Sequence, residues 1–116
     1  MEITIYHNPR CSKSRQTLAL LEENGVEPNI IEYLKTPPSH QQIDSILRGL
    51  EMQPRELMRK GEAEYKELEL ANDALSRGQL IEAMVNAPKL IERQIIIAGD
   101  EIIIGRPPEN VLSILP

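Results

Sequence analysis

The sequence predicts an α/β fold: a four-stranded mixed sheet with an all-helical segment inserted between its two halves. Three observations lead there. A strand–helix–strand unit opens the chain, and residues 36–87 carry only helix patterns. Two short isoleucine runs and a terminal helix then close it.

The elements follow in order. "EITIY" (Glu2 to Tyr6) alternates and is rich in β-branched residues, the pattern of a strand. Pro9 stops it. From Ser12 to about Asn24, Leu18, Leu20 and Leu21 give a helical apolar stripe, and Gly25 suits the C′ position that ends it. "NIIEY" (Asn29 to Tyr33) is a second strand. At this spacing the unit is a right-handed βαβ crossover with parallel strands.

Pro37 and Pro38 then break the pattern. Ser39 with Gln42 forms a capping box ahead of Ile43, Ile46, Leu47 and Leu50. Pro54 suits the first turn of a further helix, "PRELMRK". Ser76 with Gln79 is a second capping box, opening "QLIEAMV". The pattern switches again at Ile95–Ile97 and Ile102–Ile104, two runs joined through Gly99 and Asp100, which predicts a β-hairpin on a type II′ turn. Pro107 and Pro108 start a closing helix, "ENVLSIL". This order describes a thioredoxin-like domain, 1–116, with its core in 1–35 and 88–116 and a helical insertion at 36–87.

Composition bounds the function. The chain has 116 residues, 41% of them hydrophobic, which supports one folded domain; with no Phe or Trp, its core is aliphatic. A net charge of −5 argues against nucleic acid and membrane surfaces as partners. The apolar runs are too short to span a bilayer, and the N-terminus enters a strand rather than a signal peptide. A single cysteine excludes a disulfide framework and fits a reducing, cytoplasmic setting. No metal site is expected: beside His7 there is only His40, in the helical segment.

That cysteine lies in "YHNPRCSKSRQTL". A lone cysteine is ordinarily a small buried hydrophobe. Cys11 instead sits between a strand and a helix N-terminus, among Arg10, Lys13 and Arg15, with His7 four residues before it. Helix-end N–H groups, the helix dipole and nearby cations all favour thiolate over thiol. Two familiar thiol motifs fail. A C-x5-R phosphate loop would need Arg at Thr17, and a C-x-x-C dithiol would need Cys at Ser14. What remains is a monothiol nucleophile whose second thiol comes from another molecule.

"ITIYHNPRCSKSRQTL", continued through "YLKTPPS", "LMRK", "LIERQIII" and "GRPPE", resembles the ArsC family of glutaredoxin-coupled arsenate reductases, in its shorter branch. The resemblance covers essentially the whole chain and implies the same thioredoxin-like fold. It implies Cys11 as the nucleophile toward arsenate, with His7, Ser14 and Arg15 supporting the thiolate. It also implies Arg59, Arg93 and Arg106 as oxyanion ligands, a role guanidinium forks suit well. No tightly bound cofactor is implied; glutathione is the co-substrate, glutaredoxin the partner and a monomer the expected state. Two alternatives stand beside this reading. One is another glutathione-linked monothiol oxidoreductase, the other a non-enzymatic regulator resembling Spx, although Ser14 breaks the C-x-x-C of such switches.

The chain departs from the family at one point. The family places Arg-Pro before the third strand, and this chain has Arg93-Gln94. The expectation is a trans bond with an altered loop or a strained cis bond, and a Gln94→Pro variant that folds and turns arsenate over faster.

Overall fold

The computed structural model describes residues 2–91 and 94–115. The chain divides into two compact units, Met1–Thr36 with Arg93–Pro116, and Pro37–Glu92.

The first unit is built on a four-stranded sheet. Strand β1 runs Ile3–His7, helix α1 Ser12–Glu23 and strand β2 Asn29–Glu32. β1 and β2 pair in parallel with Thr4 opposite Asn29, as the crossover demands. Strands β3 (Ile95–Ala98) and β4 (Glu101–Ile104) form the hairpin, and β3 pairs antiparallel with β1. The sheet order is β2-β1-β3-β4, and the fold is thioredoxin-like. Gly99 takes φ +61 in the hairpin turn while Asp100 keeps negative φ, the combination of a type II′ turn.

Register decides which side chains share a face. Ile3 lies opposite Ala98, Ile5 opposite Ile96, and Ile96 opposite Ile103. Those residues meet Leu21 of α1 together with Val111 and Ile114 from the C-terminal segment. Ile5, Leu21, Ile96 and Val111 are fully buried. Each such aliphatic side chain contributes about 1.5–3 kcal/mol on burial. The sheet and α1 are therefore fixed to one another, and with them the turn that carries Cys11. At its far end α1 stops at Gly25, whose φ of +78 makes it the left-handed C-terminal residue.

The second unit holds helix α2 (His40–Leu50), helix α3 (Ala63–Glu67) and helix α4 (Arg77–Asn86), with 3-10 turns at Pro54–Leu57 and Pro88–Leu90. Both capping boxes form as expected: Ser39 accepts from the Gln42 N–H, Ser76 from the Gln79 N–H, and each glutamine returns a bond to its cap residue. α2 buries Ile43, Ile46 and Leu47, α4 buries Leu80, Ile81 and Met84, and the two helices pack together.

One helix expectation changes. "PRELMRK" is a 3-10 turn over Pro54–Leu57, after which Met58 is extended and makes an antiparallel bridge to Ile91. The Arg59 N–H donates to the Leu90 carbonyl at 2.7 Å, so the backbone there pairs with a neighbouring segment instead of continuing a helix. The closing helix forms at Pro108–Ile114, with 3-10 geometry. The short helix α3 carried no sequence signal strong enough to anticipate it.

Candidate functional site

The site is built on the turn from β1 to α1. Cys11 is the N-cap of α1, with extended backbone dihedrals and a side chain that makes no cap hydrogen bond. The first turn of the helix contains no acidic residue, so nothing within it neutralises the positive end of the helix dipole at the sulfur. Cys11 is buried, with 9% of the residue exposed.

The turn is tied down at several points, most of them through Asn8. Its carbonyl accepts from the Cys11 N–H at 3.0 Å, and its Oδ1 accepts from the Arg10 N–H at 3.0 Å. Its own N–H donates to Ser14 Oγ at 3.1 Å. Short polar side chains that bond the backbone two residues on are a standard way to hold such turns. The Arg15 guanidinium donates to the Pro9 carbonyl at 2.9 Å, so Arg15 braces the loop as well as adding positive charge.

His7 and Ser14 are both buried, with His7 Nδ1 2.7 Å from Ser14 Oγ. Burial pushes the His7 pKa down; Glu32 pulls it up and Arg15 lowers it further. His7 is therefore neutral at pH 7. It supports the site as a hydrogen-bonding group rather than as a positive charge.

Gln94 closes the site from the other side. It is 1% exposed, and its Nε2 donates to Cys11 Sγ at 3.7 Å. Its backbone is left-handed, φ +61, and its carbonyl accepts from the Gly105 N–H at 2.7 Å. Gly105 lies against Thr17 of α1, whose hydroxyl reaches the Gly105 carbonyl at 3.5 Å. Read from residue types, position 94 stood out only as a missing proline. Nothing in its near neighbours marked it as turning inward to a polar contact, because that contact lies 83 positions away in sequence.

The first unit thus brings together His7, Cys11, Ser14, Arg15 and Gln94. Arg106 follows Gly105 and is exposed, with its carbonyl accepting from Asn110 Nδ2 at 3.0 Å. Arg59 belongs to the second unit, where its Nη1 pairs with Glu62 at 2.8 Å. Arg93, and with it the Arg93–Gln94 bond, lies outside the described residues. Among the described residues no His, Cys, Asp and Glu cluster could hold a metal ion. A groove of about 640 Å³ in the second unit, lined by His40, Leu68, Leu70 and Glu82 among others, contains no nucleophile comparable to Cys11.

The arrangement offers a sulfur at a helix N-terminus, a neutral histidine–serine pair beneath it and an amide donor beside it. It can support nucleophilic attack by sulfur on a soft, electron-poor centre carrying negatively charged oxygens.

Comparison with known proteins gives a consistent result. The sequence profile of the ArsC family matches residues 6–114. The chain is 55% identical over 115 residues to "Uncharacterized protein YfgD" of Escherichia coli K12, covering 98% of this chain and 97% of that one. It is 48% identical over 116 residues to an arsenate reductase of Haemophilus influenzae, covering 99% of this chain and 100% of that protein. The solved structure of an arsenate reductase from Vibrio cholerae superposes with a TM-score of 0.95 at 48% identity, covering 99% and 98% of the two chains.

Proposed function

The chain belongs to the ArsC family, and from that premise we propose that it is an arsenate reductase with Cys11 as its nucleophile. The observation that carries this reading is the position of its only thiol, at the N-cap of α1 on a turn braced by Asn8 and Arg15.

The overall reaction balances as arsenate plus two thiols giving arsenite, one disulfide and water. The Cys11 thiolate attacks As(V), and an arsenic-bound oxygen leaves as water after taking up a proton. Glutathione adds to the same arsenic and displaces a second oxygen in the same way. Attack by a further thiolate on an arsenic-bound sulfur forms the S–S bond and breaks As–S. The As–S electron pair stays on arsenic, reducing it to As(III); a water then cleaves the remaining As–S bond, returning that thiol and releasing arsenite, so that one water is released net. One cysteine supplies one of the required thiols, so glutathione and a glutaredoxin are the proposed sources of the rest.

Each residue has a proposed task. The helix N-terminus and the cations on its loop favour the thiolate and draw in the oxyanion. Neutral His7, bonded to Ser14, holds the floor of the turn, and Arg15 holds its outer edge. Arg106 is assigned to the arsenate oxygens, and Arg59 and Arg93 take the same assignment from their places in the family pattern. The proposed setting is cytoplasmic, where glutathione keeps Cys11 reduced.

The test is a coupled assay with glutathione, glutaredoxin and an NADPH-driven regeneration system. Arsenate-dependent oxidation of NADPH is expected, abolished in Cys11→Ser and with KM raised at least about tenfold in Arg106→Ala. Cys11-dependent turnover of a glutathione mixed disulfide without any arsenate-dependent rate would overturn arsenate as substrate. No turnover of either kind would overturn the enzymatic reading.

A further inference from the structure

We propose that the Gln94 carboxamide donates a hydrogen bond to the Cys11 sulfur, stabilising its thiolate and fixing the direction in which it attacks. The inference rests on the reading of Cys11 as the reacting group, and it adds a residue of this chain's own to that site.

A primary amide 1% exposed is costly to bury unless its hydrogens find acceptors. Here Nε2 is 3.7 Å from Sγ, within the range of an N–H donor to sulfur. A thiol is a weak acceptor and a thiolate a strong one, so a donor in this place favours the charged form. Gln94 does not titrate, so it remains a donor at every pH.

Two further observations show that the contact is set by the backbone. Gln94 holds φ +61, a conformation uncommon for residues with a side chain. It is pinned there by the Gly105 N–H on its carbonyl, at 2.7 Å. Gly105 in turn sits where a side chain would be crowded. A Cβ at that position would lie 3.0 Å from Ile96 Cδ1 and 3.0 Å from Thr17 Cγ2. Thr17 stands on α1, the helix that Cys11 caps, and Ile96 on β3, the strand that follows Gln94. The donor and the sulfur are therefore held at their separation through Gly105, by the packing of α1 on the sheet.

His7 and Arg15 have partners of their own. Neutral His7 is bonded to Ser14, and Arg15 is bonded to the Pro9 carbonyl. Among the hydrogen bonds described here, the one from Gln94 reaches the sulfur itself.

The test is the pH dependence of Cys11 alkylation by iodoacetamide in Gln94→Met, Gln94→Glu and Gln94→Gly. Methionine keeps the length without the donor, glutamate replaces the donor with a negative charge, and glycine is at ease at φ +61 without a side chain. The titratable and charged groups around the turn (Arg10, Lys13, Arg15, His7, Glu32 and Arg106) are unchanged in all three. The midpoint of the profile is expected to rise in Met and Gly and furthest in Glu, with alkylation of Glu at pH 7 slowed at least about tenfold. A purely structural role for Gln94 would change the plateau rate at high pH and leave the midpoint in place. Wild-type midpoints in folded Met and Gly variants would overturn the proposal. If Met fails to fold, the Gly variant decides alone. Because the readout uses no arsenate, a protein inactive on arsenate but showing the midpoint shift loses the proposed substrate and keeps the role of Gln94.

Discussion

His7 Nδ1 lies 2.7 Å from Ser14 Oγ, and that same oxygen accepts the Asn8 N–H at 3.1 Å. One buried hydroxyl thus joins the end of β1, the turn and the first coil of α1. Serine at 14, where a dithiol enzyme would have its second cysteine, has a structural task here that a thiol would perform poorly, because sulfur is the weaker hydrogen-bonding partner.

Removing that hydroxyl should be costly. Ser14→Ala takes one partner from a buried histidine nitrogen and one from a backbone N–H. The expected loss is about 1–3 kcal/mol of unfolding free energy, measured by urea denaturation. A loss within error of zero would mean that water replaces the hydroxyl and the joint is not structural.

The state of His7 makes stability depend on pH. Burial, with Arg15, holds its folded pKa below 6.5, outweighing the opposing pull of Glu32. Between the folded value and 6.5 the unfolded chain binds more protons than the folded one. The His7 contribution to stability therefore rises with pH through that window and is complete above it. Denaturation series between pH 5 and 8 should show this rise in the wild type and a flatter profile in His7→Gln. An equal slope in both would assign the dependence to other groups.

Gln94→Pro is expected to destabilise the protein, the reverse of the expectation drawn from the family pattern. A proline ring fixes φ near −65°, and residue 94 sits at +61. The backbone would have to turn over, and the bond from Gly105 and the donor at Cys11 would go with it. The cost should exceed about 1 kcal/mol, seen as a lower urea midpoint, with slower alkylation of Cys11. A variant as stable as the wild type would show that the loop re-forms around proline.

Much of the fold was legible because it is local. The alternation in "EITIY", Gly25 after α1, both capping boxes and the glycine of the hairpin turn each act within a few residues, and each is present in the structure. What failed was equally specific. "PRELMRK" has a helix-like composition, but its backbone pairs with Ile91 and Leu90, far along the chain, and propensity yields to that pairing.

The same division runs through the candidate site. The sequence by itself determined that there is one thiol and that it lies at the start of a helix among cations, since these depend on residue identity and near neighbours. Only the tertiary structure decided that the His7 pKa is pushed below its ordinary value, because burial is a property of the packed sheet. Only it turned Gln94 from an absent proline into a donor aimed at sulfur. That contact spans 83 positions of sequence and exists because Gly105, with no Cβ, lets α1 and β3 close on either side of it.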